Sequence, residues 1–137
     1  MTAFIRPVIT DVNRGFWDGA AQHRLTLQRC ESCGEVRYPP AQRCPRCLAA
    51  EWSWQDVSGR GEILSFTYFH QKYHPAWADR VPYNVVLVQL DEGPRMVSNV
   101  VPLSRNDLKV GLRVRVVFDD EDGLTVPRFE VDEEAAK

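Results

Sequence analysis

The sequence lacks any apolar run long enough to cross a membrane, and its 137 residues include only four cysteines. A membrane-spanning helix needs ~20 consecutive apolar residues, and no stretch approaches that length. Nothing at the N-terminus resembles a secretory signal. We therefore expect a cytoplasmic protein without membrane association, in a reducing compartment that disfavours disulfides.

The residue patterns of an independent active site are also missing. No serine or free cysteine stands in the setting of a recognisable nucleophile, and no glycine-rich loop could cradle phosphates. Of the three histidines, His23 falls at the end of a predicted helix, where a histidine is unremarkable. General acid–base catalysis needs a partner within hydrogen-bond reach, which the sequence does not reveal. The sequence therefore predicts no self-sufficient catalytic site.

The four cysteines form two C-x-x-C pairs separated by ten residues, Cys30 with Cys33 and Cys44 with Cys47. Each turn can bring two thiolates to one ion, and two such turns complete a tetrahedral zinc site. Gly34 follows the first pair, where a tight knuckle often needs a positive φ. Four thiolates leave no open coordination position, so we expect a structural zinc ion.

Other uses of these thiols stay open. They could form two disulfides, or one disulfide and two free thiols, although a reducing compartment disfavours both. A thioredoxin-like redox pair fits less well, because that motif occurs once and beside a βαβ pattern. Iron can also replace zinc among four thiolates.

We predict a mainly β fold in three segments. These are an N-terminal helical segment, a zinc ribbon, and a barrel with an acidic tail, at residues 1–24, 25–57 and 58–137.

The N-terminal segment should form a helix over residues 10–22, capped by Thr10 or Asp11. Val12, Phe16 and Ala20 recur at helical spacing and mark its buried side. Trp17 lies beside this stripe, and we expect it to be partly exposed. The segment therefore presents two large rings close together.

The barrel segment contains five short strand patterns separated by turn signals. The predicted strands are 61–70, 83–91, 95–101, 113–119 and 125–131. Ser104 stands three residues before Asp107, which resembles a capping box and predicts one helical turn between the third and fourth strands. This count and order of elements predict an OB-fold, a five-stranded Greek-key barrel.

Aromatic and imidazole side chains cluster in the first barrel strand and in the long connection after it. They are Phe66, Tyr68, His70, Tyr73, His74 and Trp77. Loops on a rigid barrel commonly hold ligands, so this cluster is the candidate ligand site. The alternative is that about half of these rings fill the barrel or anchor the loop.

The charge distribution argues against nucleic acid as the ligand. Residues 1–61 hold eight basic and six acidic side chains, whereas residues 62–137 hold nine and thirteen. Single-strand binding needs a positive groove beside its aromatic side chains. A free-standing nucleic-acid-binding module nevertheless remains an alternative function.

The combination of motifs resembles a known family of small zinc-ribbon-plus-OB-fold proteins, long catalogued as a domain of unknown function, that accompany thiolase-like enzymes. The motifs are a helix, C-x-x-C-G, Pro39-Pro40, C-P-x-C, and the segments 58–61, 81–83 and 90–93. The resemblance extends from about Phe16 to Phe129. It implies a rubredoxin-like ribbon whose zinc ligands are Cys30, Cys33, Cys44 and Cys47.

The resemblance further implies an accessory subunit that binds or acts beside acyl-CoA thioesters, in a hetero-oligomer with a thiolase-like partner. The partner's reaction would be acyl-CoA condensation or thiolysis, or retro-aldol cleavage of a β-hydroxyacyl-CoA such as a steroid side-chain thioester. We expect the protein to be non-catalytic alone. The residues expected to face the partner or the thioester channel are Phe16, Trp17, Tyr68, His70, Tyr73, His74 and Trp77. The alternative for the helix is that Phe16 packs against the ribbon and only Trp17 is free.

Overall fold

Two antiparallel sheets and one helix make up the part of the chain that the computed structural model describes, residues 7–71, 75 and 80–133. The helix is α1 (Arg14–Ala21). The strands of the smaller sheet are β1 (Leu25–Cys30), β2 (Val36–Arg37) and β3 (Trp52–Val57). Those of the larger sheet are β4 (Arg60–Phe69), β5 (Tyr83–Leu90), β6 (Arg95–Ser98), β7 (Arg113–Glu121) and β8 (Leu124–Val131).

Helix α1 begins four residues later than the sequence predicts, because Asn13 organises a turn ahead of it. The Asn13 carboxamide accepts a hydrogen bond from the Thr10 N–H at 2.8 Å and donates one to the Val8 carbonyl at 3.0 Å. Neither Thr10 nor Asp11 caps the helix, so that prediction is wrong. The helix buries Phe16 and Ala20, as predicted, whereas Val12 precedes the helix and is half-buried.

The smaller sheet has the order β2-β1-β3, with β1 in the centre. Its strand β3 contacts the helix where the Trp54 ring packs against Gly15, leaving no room for a Cβ atom there. The sheet and the helix therefore pack as one unit, and the helix also contacts β8 of the larger sheet.

The larger sheet has the order β6-β5-β4-β7-β8 and curls on itself. A parallel bridge between Val100 and Phe129 joins its two ends. The Phe129 N–H donates to the Asn99 carbonyl at 2.9 Å, and the Val101 N–H donates to the Phe129 carbonyl at 2.8 Å. This pairing confirms the predicted five-stranded OB topology.

Pro127 limits the length of this parallel seam. The N–H and C=O of Phe129 point toward the end of β6. Because these groups alternate in direction along a strand, the backbone N and C=O of Pro127, two residues earlier, point the same way. Proline has no N–H to donate to β6. The Pro127 carbonyl instead accepts a hydrogen bond from the Ser98 hydroxyl at 3.1 Å. The ladder ends there, and β6 has a free edge before Ser98.

The predicted helical turn at residues 104–108 is absent. The Arg105 N–H closes a turn onto the Pro102 carbonyl at 2.9 Å, and the Asp107 carboxylate pairs with the Arg105 side chain at 2.7 Å. Asn84, fully buried on β5, donates to the carbonyls of Leu103 and Arg105. These partners replace the bonds that a helical turn would have formed.

One apolar core runs from α1 and β1 into the barrel. It includes Phe16, Leu27, Ile63 and Phe129, which are 0–4% exposed. Within the described residues, no helix is long and apolar enough to cross a membrane.

Candidate functional site

The four cysteines come together at one end of the smaller sheet. Their sulfur atoms all lie within 4.8 Å of one another. Sγ of Cys30 is 3.5 Å from that of Cys47, and Sγ of Cys33 is 3.6 Å from that of Cys44. Zn–S bonds of about 2.3 Å in a tetrahedron place sulfurs about 3.8 Å apart. The cluster therefore has the donor set and spacing of a structural zinc site.

The two knuckles have the same backbone hydrogen bonds. In the first, Gly34 N–H donates to the Cys30 carbonyl at 2.9 Å; in the second, Leu48 N–H donates to the Cys44 carbonyl at 2.8 Å. Both residues have positive φ, +78° at Gly34 and +66° at Leu48. The value at Gly34 confirms the predicted positive φ, whereas Leu48 adopts a conformation that a residue with a Cβ atom disfavours.

Backbone N–H groups in each knuckle favour ionised thiols. The pKa of Cys30 is lowered to about 6, first by the Cys33 N–H and then by the Ser32 N–H and neighbouring thiols. The Cys47 N–H is the main cause of a lowered pKa at Cys44. At Cys33 the Glu35 N–H lowers the pKa, but burial and the three other thiols raise it to about 11. Thiolates are the metal-binding form, so the knuckles favour metal ligation by Cys30 and Cys44.

A buried polar cluster, which sequence reasoning missed, supports the knuckles from within the sheet. The side-chain Oε1 of Gln28 accepts hydrogen bonds from Arg37 Nε at 2.7 Å and from the Ala41 N–H at 2.9 Å. Its amide donates to the Val12 carbonyl at 2.8 Å. The Arg37 guanidinium also lies 5.8 Å from the centre of the Trp52 ring. This cluster ties β1, β2 and the N-terminal turn together.

A cavity of about 230 Å³ lies at one end of the barrel and includes two predicted site residues. Tyr68 and His70 line it together with Tyr83, Arg105 and others. The Tyr68 hydroxyl accepts a hydrogen bond from the Leu108 N–H at 3.1 Å, and its ring packs against the core. Tyr68 therefore has a structural role at the cavity wall, whereas His70 is exposed.

Two other predicted residues line a different cavity. Phe16 and Trp17 border a groove of about 160 Å³ between α1 and the open part of the β6–β8 seam, which we call the seam groove. Phe16 is buried and Trp17 half-buried, as expected, and their rings meet edge to face at 5.0 Å. Tyr73, His74 and Trp77 lie outside the described residues. The structure therefore places four of the predicted residues at two cavities, whereas Phe66 packs against the core.

An ion-pair network, also missed from the sequence, stands at the base of the connection that follows β4. The Arg80 guanidinium binds the Glu121 carboxylate through two bonds of 2.7 and 2.8 Å. Glu121 also accepts a bond from the buried Arg128 at 2.8 Å. Arg80, followed by Arg128, holds the pKa of Glu121 below its usual value. Only the spatial meeting of β7 and β8 with residue 80 reveals this network.

A further cavity, of about 320 Å³, lies between α1 and β3. Asp56 in its wall accepts hydrogen bonds from Arg24 at 3.0 Å and from Thr26 at 2.7 Å. The imidazoles of His23 and His70, the two histidines in the described part, make no hydrogen bond, and His23 stacks on Phe118 with ring centres 5.2 Å apart. Neither has the paired geometry that acid–base catalysis uses.

Fold and metal site together define a zinc ribbon followed by an OB-fold barrel. Two family profiles match consecutive parts of the chain: residues 17–53 match "ChsH2, rubredoxin-like zinc ribbon domain", and residues 54–119 match "ChsH2, C-terminal OB-fold domain". The chain belongs to this family, which is also called DUF35.

Similar proteins include subunits of CoA enzymes. A probable enoyl-CoA hydratase alpha subunit of Thermomonospora curvata is 36% identical over 125 residues, which are 90% of this chain and 39% of that protein. The benzoylsuccinyl-CoA thiolase subunit BbsA of Thauera aromatica is 31% identical over 110 residues, covering 78% of this chain and 74% of that one. This chain therefore spans about two fifths of the first relative.

A solved structure of an Ltp2-ChsH2(DUF35) aldolase contains a chain of the same fold. The TM-score is 0.80 at 35% identity, over 92% of this chain and 98% of that chain. The predicted fold class and family are thus confirmed.

Proposed function

We propose that this protein is an accessory subunit of an enzyme complex that acts on acyl-CoA thioesters, with a thiolase-like partner supplying the catalytic residues. The observation that carries the proposal is the match to almost the whole of a chain of the Ltp2-ChsH2(DUF35) aldolase, at 35% identity. The thiolase subunit BbsA, matched over most of its length, supports it. The reaction would be condensation or thiolysis of acyl-CoA, or retro-aldol cleavage of a β-hydroxyacyl-CoA such as a steroid side-chain thioester.

The division of labour follows from the side chains available. The imidazoles of His23 and His70 have no hydrogen-bond partner among the described residues. The Tyr68 hydroxyl already accepts a hydrogen bond from the Leu108 N–H. In the proposal the partner therefore performs the bond cleavage or formation. This subunit shapes the thioester channel and holds the partner in its active arrangement.

The proposed channel surface combines the predicted aromatics with the barrel-end cavity. His70 is exposed beside Tyr83 and Arg105, and Arg105 offers a cation there that is partly balanced by Asp107. Tyr73, His74 and Trp77 belong to the connection that follows His70 in the chain, which supports grouping them with this end. Trp17, supported by the buried Phe16 beneath it, forms the second proposed contact, at the seam groove.

We further propose that Cys30, Cys33, Cys44 and Cys47 bind one zinc ion with a structural role. The ion would join the two knuckles at the end of β1. The corresponding division of the chain is a helical segment at 1–24, the ribbon at 25–57 and the barrel at 58–137.

Metal analysis tests the zinc site. Cys44→Ser should lose the ion and unfold the ribbon, since metal binding contributes about 10–16 kcal/mol in zinc-finger peptides. Ser32→Ala, an exposed position in the first knuckle, is the matched control and should keep one zinc per chain. Freshly purified protein with no metal and with its thiols in disulfides would contradict the assignment.

Association tests the function. The native protein should co-purify with a thiolase-like subunit, and an acyl-CoA should raise the melting temperature of the pair. A ligand at 100 times its Kd stabilises by about 2.7 kcal/mol. Stabilisation of the isolated chain by single-stranded oligonucleotides, without any effect of acyl-CoA on the pair, would favour the nucleic-acid alternative.

A further inference from the structure

The edge of β6 is free on the side that faces away from β5. Within the larger sheet, β6 pairs only with β5, in the register Ser98 with Val86 and Met96 with Val88. The bridge to β8 begins after this strand, at Asn99 and Val101. Pro127 has no N–H with which to continue it. Residues 95–97 therefore form an open edge.

The backbone of Val97 points out of that edge. The Leu90 N–H donates to the Pro94 carbonyl, and Val100 exchanges two bonds with the Asn84 side chain on β5. Even-numbered residues of this stretch thus face β5, and alternation directs the N–H and C=O of Val97 outward. Neither group has a hydrogen-bond partner among the described residues. A free donor and acceptor on one residue are the groups that pair with an extended backbone.

The side chains at this edge define what could pair with it. Val97 is 57% exposed. It borders the seam groove, whose other walls include Trp17 and Tyr38 and whose volume of about 160 Å³ suits one apolar side chain. Arg95 is two residues away on the same face; its Nε donates to Gln89 at 3.2 Å. In the part of the chain that the structure describes, Arg95 makes no ion pair.

We infer that the partner polypeptide adds an extended strand to the β6 edge, with an apolar side chain opposite Val97 and a carboxylate opposite Arg95. Addition of a strand supplies backbone bonds for affinity and side-chain pockets for specificity. An acidic side chain would complement the charge of Arg95, and an extended main chain would pair with the free backbone groups of Val97. The inference rests on the proposed function for the existence of the partner and names the segment by which it binds.

Residue-resolved amide exchange tests the strand addition directly. In the isolated, full-length protein, the Val97 amide should exchange at least about tenfold faster than those of Met96 and Ser98, because one lost hydrogen bond is worth about a factor of ten. In the complex with the thiolase-like subunit that co-purifies, the Val97 amide should become at least as slow as its neighbours. Slow exchange at Val97 in the isolated protein would overturn the inference, since another part of this chain or a second copy would then cover the edge.

Matched variants give an independent readout. Val97→Asp should weaken the complex by more than about tenfold, whereas Val110→Asp, at an apolar side chain that is 68% exposed, should not. Val97→Thr keeps a β-branched shape and should bind like the original. Arg95→Glu should weaken association, and a Lys in place of the opposing partner carboxylate should restore it. Equal melting temperatures of the isolated variants show that folding is unaffected.

The outcomes separate the two proposals. If the wild-type chain does not associate with any thiolase-like subunit, the proposed function fails, and the partner strand with it. If the complex forms but Val97 stays unprotected and Val97→Asp binds normally, the strand addition is wrong while the proposed function stands.

Discussion

Gly34 and Leu48 occupy equivalent positions in the two zinc knuckles, yet only one of them suits its conformation. Each donates its N–H to the first cysteine of its pair, and each has a φ in the left-handed region. Glycine adopts this region freely, whereas a residue with a Cβ loses about 1–2 kcal/mol. Leu48 is 68% exposed, so packing within this chain does not offset that cost.

Exchanging the residue types at these two positions should therefore have opposite effects. We predict that Leu48→Gly stabilises the metal-loaded protein by about 1 kcal/mol, and that Gly34→Leu destabilises it by about the same amount or more. Equilibrium unfolding in denaturant measures both. A loss of stability in Leu48→Gly would show that the Leu48 side chain makes a stabilising contact after all.

The sequence predicted one of these positions and missed the other for a clear reason. The C-x-x-C-G pattern predicts a positive φ at Gly34, because glycine is the residue that such a turn favours. Nothing in C-P-R-C-L marks Leu48, since the residue type opposes the conformation. The equivalence of Gly34 and Leu48 is visible only in the folded structure, where each donates its N–H to the carbonyl of the first cysteine in its pair.

At the scale of elements, the segment after β6 depends on one buried side chain. Asn84 donates to the Val100 carbonyl at 2.8 Å and accepts from the Val100 N–H at 2.7 Å, and it also donates to the Leu103 carbonyl at 3.0 Å. Its side chain is fully buried. This segment forms a wall of the barrel-end cavity, so Asn84 positions the cavity without lining it.

We predict that Asn84→Ala lowers the free energy of unfolding by about 2–3 kcal/mol, because buried backbone groups lose their partners. Asn106→Ala, an exposed change on the same segment, should alter it by less than about 0.5 kcal/mol. Denaturant unfolding compares the two. Similar stabilities for both variants would mean that water replaces the Asn84 contacts.

The β7–β8 hairpin should show an acid-dependent stability that originates at Glu121. Its pKa is lowered, first by Arg80 and then by Arg128. A carboxyl whose folded pKa is below its unfolded value contributes stability above the unfolded pKa and loses it as pH falls through the folded pKa. The contribution of Glu121 should thus be complete at neutral pH and disappear in acid below its ordinary value of 4.5.

We predict that Glu121→Gln is less stable than the original at pH 7, and that the difference shrinks as pH falls below about 4. Unfolding curves recorded between pH 3 and 7 measure it. Glu130→Gln, which affects an exposed pair with Arg115, is the control and should give a small difference throughout. A pH-independent difference for Glu121→Gln would assign the effect to packing instead.

Sequence patterns located the barrel strands because alternation and turn residues act locally. Predicted and observed strands agree within three residues at every end. The prediction of a helical turn at 104–108 was wrong because Asn84, about twenty residues away in sequence, donates hydrogen bonds to the carbonyls of Leu103 and Arg105. The network of Arg80, Glu121 and Arg128 is equally non-local, so no spacing rule could reveal it.

At the scale of the whole molecule, the metal site lies at one end of the smaller sheet, whereas the seam groove and the barrel-end cavity are lined mainly by residues of the larger sheet and the segments around it. The cysteine cluster was predictable in full, since its four ligands are close in sequence. The seam groove was not, because it depends on Pro127, on the end of β6 and on Trp17 meeting in space. The roles of Tyr73, His74 and Trp77 remain predictions.

A subunit that shapes a channel for its partner should be inactive by itself. We predict negligible turnover of acyl-CoA substrates by the isolated, metal-loaded chain, and turnover on addition of the thiolase-like subunit. Trp17→Ala should lower the activity of the mixture by weakening association, since truncating a buried aromatic anchor costs about 2 kcal/mol or more, while the isolated variant keeps its melting temperature. A far lower melting temperature in Trp17→Ala would place that ring in the core instead. Robust cleavage or condensation by the chain alone would show that it carries a catalytic set of its own, because no partner residue could then account for the chemistry.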